Sequence, residues 1–350
     1  IDIFGVNTRF NLEYTPTLKN EKHNFKSFFS VLTSDQKSVT QEVMTSNTAS
    51  SLLVDPSNPS RTQNQELNAL SNLNQTRSIG AVLVGQYEFQ DKYIFNASIR
   101  GDGNSRFGPN YRYGLFPSVS ARWRISGEKF MTNLKKVDDL SLRVSYGQSG
   151  EAPRFDYTFF NRYATFNWTY LGQSGVFPAN MELENLKWQT IHGTNIGGNL
   201  SMFKGRLRMD MEWYRNRTED LYFNNLQIAS FTGYNTVNLN VGTLDNQGWE
   251  LAVWTTPVKK KNWSLGFDFN ISRNENIIRE ISEFYPSSRG DVTRLGDYLR
   301  LLQVDNPFGS FYGYRYKGVY KDQESTIAKG ENGKPIVGPN GQQVYMRFNY

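Results

Sequence analysis

Hydrophobic residues recur at every second position along much of this chain, and the three-and-four spacing of a helix is missing from the same stretches. In residues 115–126, Leu115, Pro117, Val119, Ala121, Trp123 and Ile125 alternate with Phe116, Ser118, Ser120, Arg122, Arg124 and Ser126. Leu207, Met209, Met211 and Trp213 oppose Arg206, Arg208, Asp210 and Glu212 in the same way. Trp263, Leu265, Phe267, Phe269 and Ile271 oppose Ser264, Gly266, Asp268 and Asn270. Shorter copies run through Leu140, Leu142, Val144 and Tyr146, through Tyr93, Phe95, Ala97 and Ile99, and through Phe10, Leu12 and Tyr14. Such alternation predicts β-strands with one apolar and one polar face.

The connections fall into two kinds. Tight ones are expected at 17–22, 90–92, 203–206 and 257–262, and long polar ones at approximately 45–75, 151–187, 224–240, 279–306 and 321–350. Short and long alternate along the chain, which is the layout of an outer-membrane barrel with short periplasmic turns and long extracellular loops. Aromatics near strand ends, such as Tyr87, Phe89, Tyr93 and Phe95 around one turn, fit an interfacial girdle. No run of about 18 apolar residues is present, so no transmembrane helix is expected, but barrel strands hide their hydrophobicity at alternate positions. Period-two strands also build soluble sandwiches and adhesins. Against a sandwich stand the charges along the polar faces, the length of the strands and the alternation of short and long connections.

Composition narrows the chemistry. Aromatics are 15% of residues at a mean hydropathy of −0.60, as alternating strands require. The net charge of +6 is dispersed apart from Lys259-Lys260-Lys261, so nothing resembles a nucleic-acid footprint. Cysteine is absent, which excludes disulfides and thiolate sites. With only His23 and His192, neither beside a plausible nucleophile or carboxylate pair, a triad or zinc site is not expected, and no cofactor motif is present. His192 reads as a lumen or interface histidine. Val137-Asp138-Asp139 reads as a periplasmic turn, and residues 330–342 as a hairpin loop without the acidic spacing of a calcium site. Arg100-Gly101-Asp102, repeated at 289–291, is too short to argue adhesion. Gly101-x-Gly103 precedes no helix that could cradle phosphate. Gly101, Gly103 and Gly108 are instead expected to supply positive-φ positions in a loop, with Asp102 and Asn104 bonding local backbone. The aromatic stretch 154–177, with Phe155, Tyr157, Phe159, Phe160, Tyr163, Phe166, Trp168 and Tyr170, suits stacking on sugars or packing on a partner, or is in part a strand with its own apolar face.

Residues 91–131 (DKYIFNASIRGDGNSRFGPNYRYGLFPSVSARWRISGEKFM), 137–150 (VDDLSLRVSYGQSG) and 183–222 (LENLKWQTIHGTNIGGNLSMFKGRLRMDMEWYRNRTEDLY) resemble successive barrel segments of the SusC/RagA-type TonB-dependent transporters. Residues 240–278 and 306–320 continue in that family's order, so the resemblance covers most of the chain from about Gly80. It implies an all-β fold, part of an antiparallel transmembrane barrel of about 22 strands closed by a plug. The chain, starting at Ile1 without Met and lacking plug and TonB box, reads as the middle and later part of such a barrel, cut at both ends. The resemblance also implies the outer membrane of a Gram-negative bacterium, a SusD-like surface lipoprotein as a lid, TonB acting through the missing plug, and import of glycans or oligopeptides without covalent catalysis. On that basis Tyr111, Arg112, Tyr113, Phe166, Trp168 and Tyr170 are candidate ligand or lid contacts. Arg122, Arg124, Arg143, Arg206, Arg208, Asp210 and Glu212 are candidate lumen or plug-facing residues. A SusC-like barrel serving as a structural subunit of a larger outer-membrane or secretion complex, without import, is the alternative.

Overall fold

The computed structural model describes residues 1–44, 68–227, 230–234, 236–281, 291–295, 298–313, 316, 327–329 and 332–344. The chain divides into two units, residues 1–291 with 301–310, and residues 292–300 with 311–350. In the first unit the strands are β1 (Asp2–Tyr14), β2 (His23–Met44), β3 (Asn68–Phe89), β4 (Tyr93–Asn104), β5 (Tyr113–Arg124), β6 (Val137–Glu151), β7 (Tyr163–Tyr170), β8 (Gln173–Pro178), β9 (Gln189–Met202), β10 (Leu207–Glu219), β11 (Tyr222–Gln227), β12 (Thr236–Asn240), β13 (Thr243–Lys259) and β14 (Ser264–Glu280). Ten of them form one antiparallel sheet in the order β1-β2-β3-β4-β5-β6-β9-β10-β13-β14. The pairs β7-β8 and β11-β12 are hairpins built within two of the long connections. In the second unit, isolated antiparallel bridges join Lys329 to Pro335 and then Val337 to Gln343, so the chain folds back twice there in place of the single hairpin loop expected over 330–342.

Alternation explains both faces of the sheet. One face carries Phe10, Leu12, Leu83, Phe95, Ile99, Val119, Val144, Met211, Phe267 and Phe269, all exposed with no protein covering them. The opposite face is polar. The hydroxyls of Ser98 and Ser118 lie 2.6 Å apart, Asn96 donates to Ser120 at 3.1 Å, and Arg100 forks onto Asp102 at 2.6 and 3.0 Å. Strand pairing shows how the apolar band runs. The row Tyr14–Ser27–Gly85–Ala97–Val119–Tyr146–Thr194–Arg215–Gln247–Glu275 is mostly small or apolar at its first end and charged at its last. The band therefore slides along the strands from β1 to β14, which is the stagger that tilted barrel strands require.

Turn chemistry fixes one end of the sheet. Gln90 and Asp91 take φ of 54° and 55°, and Phe203, Lys204 and Gly205 take 58°, 60° and 74°, the left-handed conformations of tight hairpins whose twist matches the strands. At the other end β2 and β3 extend for 22 residues each, registered from His23↔Phe89 to Met44↔Asn68. The connection expected at 45–75 is thus shorter at its second end, since 68–75 is strand; residues 45–67 lie outside the described ones.

Three expectations are corrected. Gly101 and Gly103 lie within β4, Gly108 has φ −61°, and none of the three takes a positive φ. Gly103 is required for space instead, since a Cβ there would stand 2.7 Å from the Tyr113 ring. Asp102 is held by Arg100 rather than local backbone, whereas Asn104 does accept from the Arg106 amide at 3.0 Å. Asp138 and Asp139 belong to the start of β6, where Asp139 accepts from Arg124 and Ser126 at 3.0 Å. No helix among the described residues is long and apolar enough to cross a membrane.

Candidate functional site

Where β4, β6 and β10 run out into their long connections, the chain builds a second structure. Phe107, Phe159, Leu183, Leu186 and Val237 bury one another, with Ala152, Met181, Trp188, Tyr222, Leu239 and Val241 packed around them. Phe107 stacks on Trp188 with ring centroids 4.4 Å apart, and Phe116 meets the same indole edge-on at 5.6 Å. Three connections, 105–112, 152–188 and 220–242, thereby share one small core, which we call the crown.

Polar side chains tie the crown together and to the sheet. Asn240 accepts from the Lys187 amide at 2.8 Å and donates to the carbonyls of Lys187 and Asp220 at 2.9 Å each, clamping two connections with one amide. Asp156 accepts from Arg106 at 2.6 Å and from Thr76 of β3 at 2.7 Å. Burial pushes the Asp156 carboxyl up, but these two hydrogen bonds and the Arg106 charge outweigh it and hold the group below its ordinary range. Beside it the Gln75 amide donates to the Tyr157 hydroxyl at 2.9 Å. Asp245, fully buried, takes hydrogen bonds from Arg215, Arg217 and Arg279 at 2.7–2.9 Å, joining β10, β13 and β14 where they leave the sheet.

The polar face holds the second candidate feature. Arg143 of β6 reaches Asp210 at 2.9 Å and also bonds Asn199 and Glu212, so three neighbouring strands converge on one guanidinium. Arg122 approaches Asp139 at 3.9 Å and donates to Ser141 at 3.1 Å. Arg208 lies over the Trp254 ring at 6.0 Å. Arg122, Asp139, Arg143, Asn199, Arg208, Asp210 and Trp254 line a cleft of about 630 Å³, and no metal-binding cluster is present among the described residues. Mixed charges with unspent donors suit hydrogen bonding to a polar ligand or to another protein segment, and no group here is placed for covalent chemistry.

The residues singled out from sequence divide accordingly. Arg122, Arg143, Arg208 and Asp210 line this cleft, Glu212 bonds Arg143, and Arg124 pairs with Asp139 at 3.0 Å beside it. Arg206 does not join them, because it sits in the exposed β9–β10 turn. On the crown, Tyr111 lies under the Lys187 ammonium at 5.7 Å, and the Arg112 Nε is covered without an acceptor among the described residues. Tyr113 stands apart, on the apolar face with Leu115. Phe166 packs on Phe177 with centroids 4.6 Å apart, and Tyr170 is 73% exposed at the hairpin tip. The side chain of Trp168 lies outside the described residues. His192, on the apolar face, approaches the Tyr146 hydroxyl at 3.1 Å and Glu219 at 3.4 Å. The crown core, Asp156 and Asp245 were not anticipated; each depends on contacts between separate connections that no local pattern announces.

A tilted antiparallel sheet with an uncovered apolar outer band, a charged inner face, tight turns at one end and folded loops at the other defines an outer-membrane β-barrel. The family model described as TonB dependent receptor-like, beta-barrel, matches residues 4–340, and the chain belongs to that family. It is a multi-pass barrel segment of the Gram-negative outer membrane, and the expected SusC/RagA resemblance is borne out. It is 34% identical over 241 residues to TonB-dependent receptor P39 of Formosa agariphila, covering 68% of this chain and 22% of that protein. It is 29% identical over 265 residues to TonB-dependent receptor SusC of Bacteroides thetaiotaomicron, covering 71% and 25%. The RagAB peptide importer in its closed-closed state superposes with a TM-score of 0.78 at 21% identity, covering 99% of this chain and 37% of that one. The chain thus spans about a quarter of the length of the curated relatives it matches.

Proposed function

We propose that this chain is the barrel portion of a SusC-like TonB-dependent importer that takes up oligopeptides or glycans beneath a SusD-like lipoprotein lid. The observation that carries the reading is the crown. Its connections are folded onto a core of their own, so they offer a lid a fixed rim instead of mobile loops. On that rim Tyr163, Tyr170 and Phe231 stay largely exposed, as an interface core rich in aromatics requires. Below it, the Arg143–Asp210–Glu212 cluster supplies both signs of charge for polar ligands or for the plug. The similarity to a structure described as a peptide importer favours oligopeptides as the first class to test.

The test is uptake of labelled oligopeptides and of labelled oligosaccharides by cells carrying the full-length protein with its lid, with and without a proton gradient across the inner membrane. Accumulation of one class that stops when the gradient is collapsed is the expected result. An assembled barrel that accumulates neither class would overturn the import reading in favour of a structural subunit of a larger outer-membrane complex.

A further inference from the structure

The outer face of the sheet is not uniformly smooth. A cleft of about 570 Å³ is cut into it across β3, β4, β5 and β6, within the ~300–1,000 Å³ typical of small-molecule sites. Gly85 and Ala97 leave it shallow-floored, and Phe25, Tyr87, Phe95 and Tyr146 rise around it. Its lining is almost wholly apolar, and it opens on the face that the family places against lipid. Gly85 is not there for packing or turn geometry: a Cβ on it would meet no atom within 4 Å, and its φ is not positive. The missing side chain makes room outward, where only the bilayer lies.

The cleft has a polar end. One step toward the short turns from the Phe95–Ala121 pair that lines the cleft, Tyr93 and Trp123 face each other across β4 and β5. Both aromatics are pinned by Glu128, which accepts from the Tyr93 hydroxyl at 2.6 Å and the Trp123 Nε at 3.2 Å while Lys92 approaches at 3.4 Å. Hydrogen bonds from Tyr93, Trp123 and Lys92 hold the Glu128 carboxyl below its ordinary range. Beyond this girdle the short connections expose Lys19, Lys22, Lys129, Lys135 and Lys136. Of the acids there, Glu128 is committed to the girdle, Asp138 to the Gly205 amide and Asp139 to Arg124, which leaves exposed Glu21 and Asp91 against the five lysines. Exposed Phe130 and Leu134 stand among these lysines, as at a membrane interface.

We propose that this cleft is a specific site for a phosphate-bearing diacyl phospholipid of the periplasmic leaflet. An acyl chain lies in the Gly85–Ala97 trough and the phosphate meets the lysines of the short-turn rim. Continuity with the lipid-facing band selects lipid as the occupant, and the basic rim selects a phosphate headgroup at this end. The concave wall holds one chain on several sides, where the rest of the band touches lipid on one side only. The inference rests on membrane placement and is independent of import.

The experiment is native mass spectrometry of the full-length protein, delipidated in detergent and titrated with palmitoyl-oleoyl phosphatidylglycerol, alone and in competition with lipid A. One lipid should survive collisional activation that strips the others. Gly85→Leu, which fills the trough from a position with open space, should lower that retained fraction at least fivefold. Gly101→Leu, on the same face outside the cleft, should leave it unchanged, and retained heat-modifiable gel mobility would show both variants folded. Equal retention by Gly85→Leu and the parent, equal loss in both variants, or retention of lipid A in place of the phospholipid would each overturn the proposal.

Discussion

Phe107 in the crown and Phe269 on the sheet carry the same side chain into opposite settings. Phe107 is wholly covered by protein, and Phe269 is 58% exposed on the outer face of β14. The sheet owes its order to backbone pairing between long registered strands and turns its apolar residues outward. The crown pairs its backbone only within short hairpins, β7-β8 and β11-β12, and joins its three connections to one another through side chains that bury one another. In lipid an apolar residue at the sheet surface is satisfied by its surroundings, so no protein core is needed there. In water above the bilayer the crown has to bury its own. One chain thus carries two solvents' worth of folding rules, and the boundary between them falls near the ends of β4, β6 and β10.

The largest expected effect separates these regimes. Phe107→Ala removes a fully buried ring and leaves a cavity, at a cost of ~3–5 kcal/mol. That cost falls on the crown, so limited proteolysis within 152–188 should accelerate strongly while the barrel keeps its heat-modifiable mobility. Phe269→Ala loses only the transfer of its ring, ~1.5–3 kcal/mol, because lipid refills the space. Equal protease sensitivity in the two variants would dissolve the distinction.

Charge placement comes next. Leu83 and Val84 are neighbours on β3 that face opposite ways: Leu83 pairs with Phe29 and Ile99 in the apolar band, Val84 with Phe28 and Ser98 on the polar side. Leu83→Arg should cost ~2–4 kcal/mol on insertion near the bilayer midplane. Val84→Arg should insert almost normally. Folding yields into lipid vesicles, compared between the two, check the assignment of faces, and a reversed order would mean the faces are exchanged.

The sheet was legible because its information is local. Leu115 to Ile125 announce β5 through a period of two, and the turn at 203–206 lies between two such runs. The crown was not, because Phe107, Leu186 and Val237 belong to segments dozens of residues apart and follow no shared period. The same holds for Asp245, whose arginine partners lie 28–34 residues away. Half-legible was the polar face: alternation put Arg122, Arg143, Arg208, Asp210 and Glu212 on one side, but only strand order brought β6 beside β9 and β10 so that Arg143 could reach Asp210. The glycines at 101, 103 and 108 misled because glycine marks close approach as readily as a positive φ.

Acid should act on the crown before the sheet. Asp156 holds Arg106 and Thr76 with a carboxyl lowered from its ordinary 3.8. A lowered folded-state value contributes stability that is fully present above the unfolded value and lost as pH falls through the folded one. Crown protection against protease should therefore be flat from pH 8 to about 5 and decline only below the ordinary carboxylate range. Asp156→Ala should cost ~1.5–3 kcal/mol, since its bond to Arg106 is charge-assisted, and should abolish that acid limb. An unchanged limb in the variant would assign it to other carboxylates.

The smallest effect tests how the crown is joined. Asn240 spends both ends of its amide on backbone, accepting from the Lys187 amide and donating to the carbonyls of Lys187 and Asp220. Asn240→Ala leaves these groups at a partly solvated site where water can replace the lost partner, so the cost is ~1–2 kcal/mol. Asn240→Asp is the sharper variant. It keeps an acceptor for the Lys187 amide but replaces a donor with a carboxylate oxygen facing two carbonyls, so it should destabilise the crown more than alanine does. Hydrogen exchange of the Lys187 amide reads the result directly. Faster exchange in Asn240→Asp than in Asn240→Ala means the amide works through its two donated bonds, whereas the reverse order assigns the clamp to the single bond it accepts.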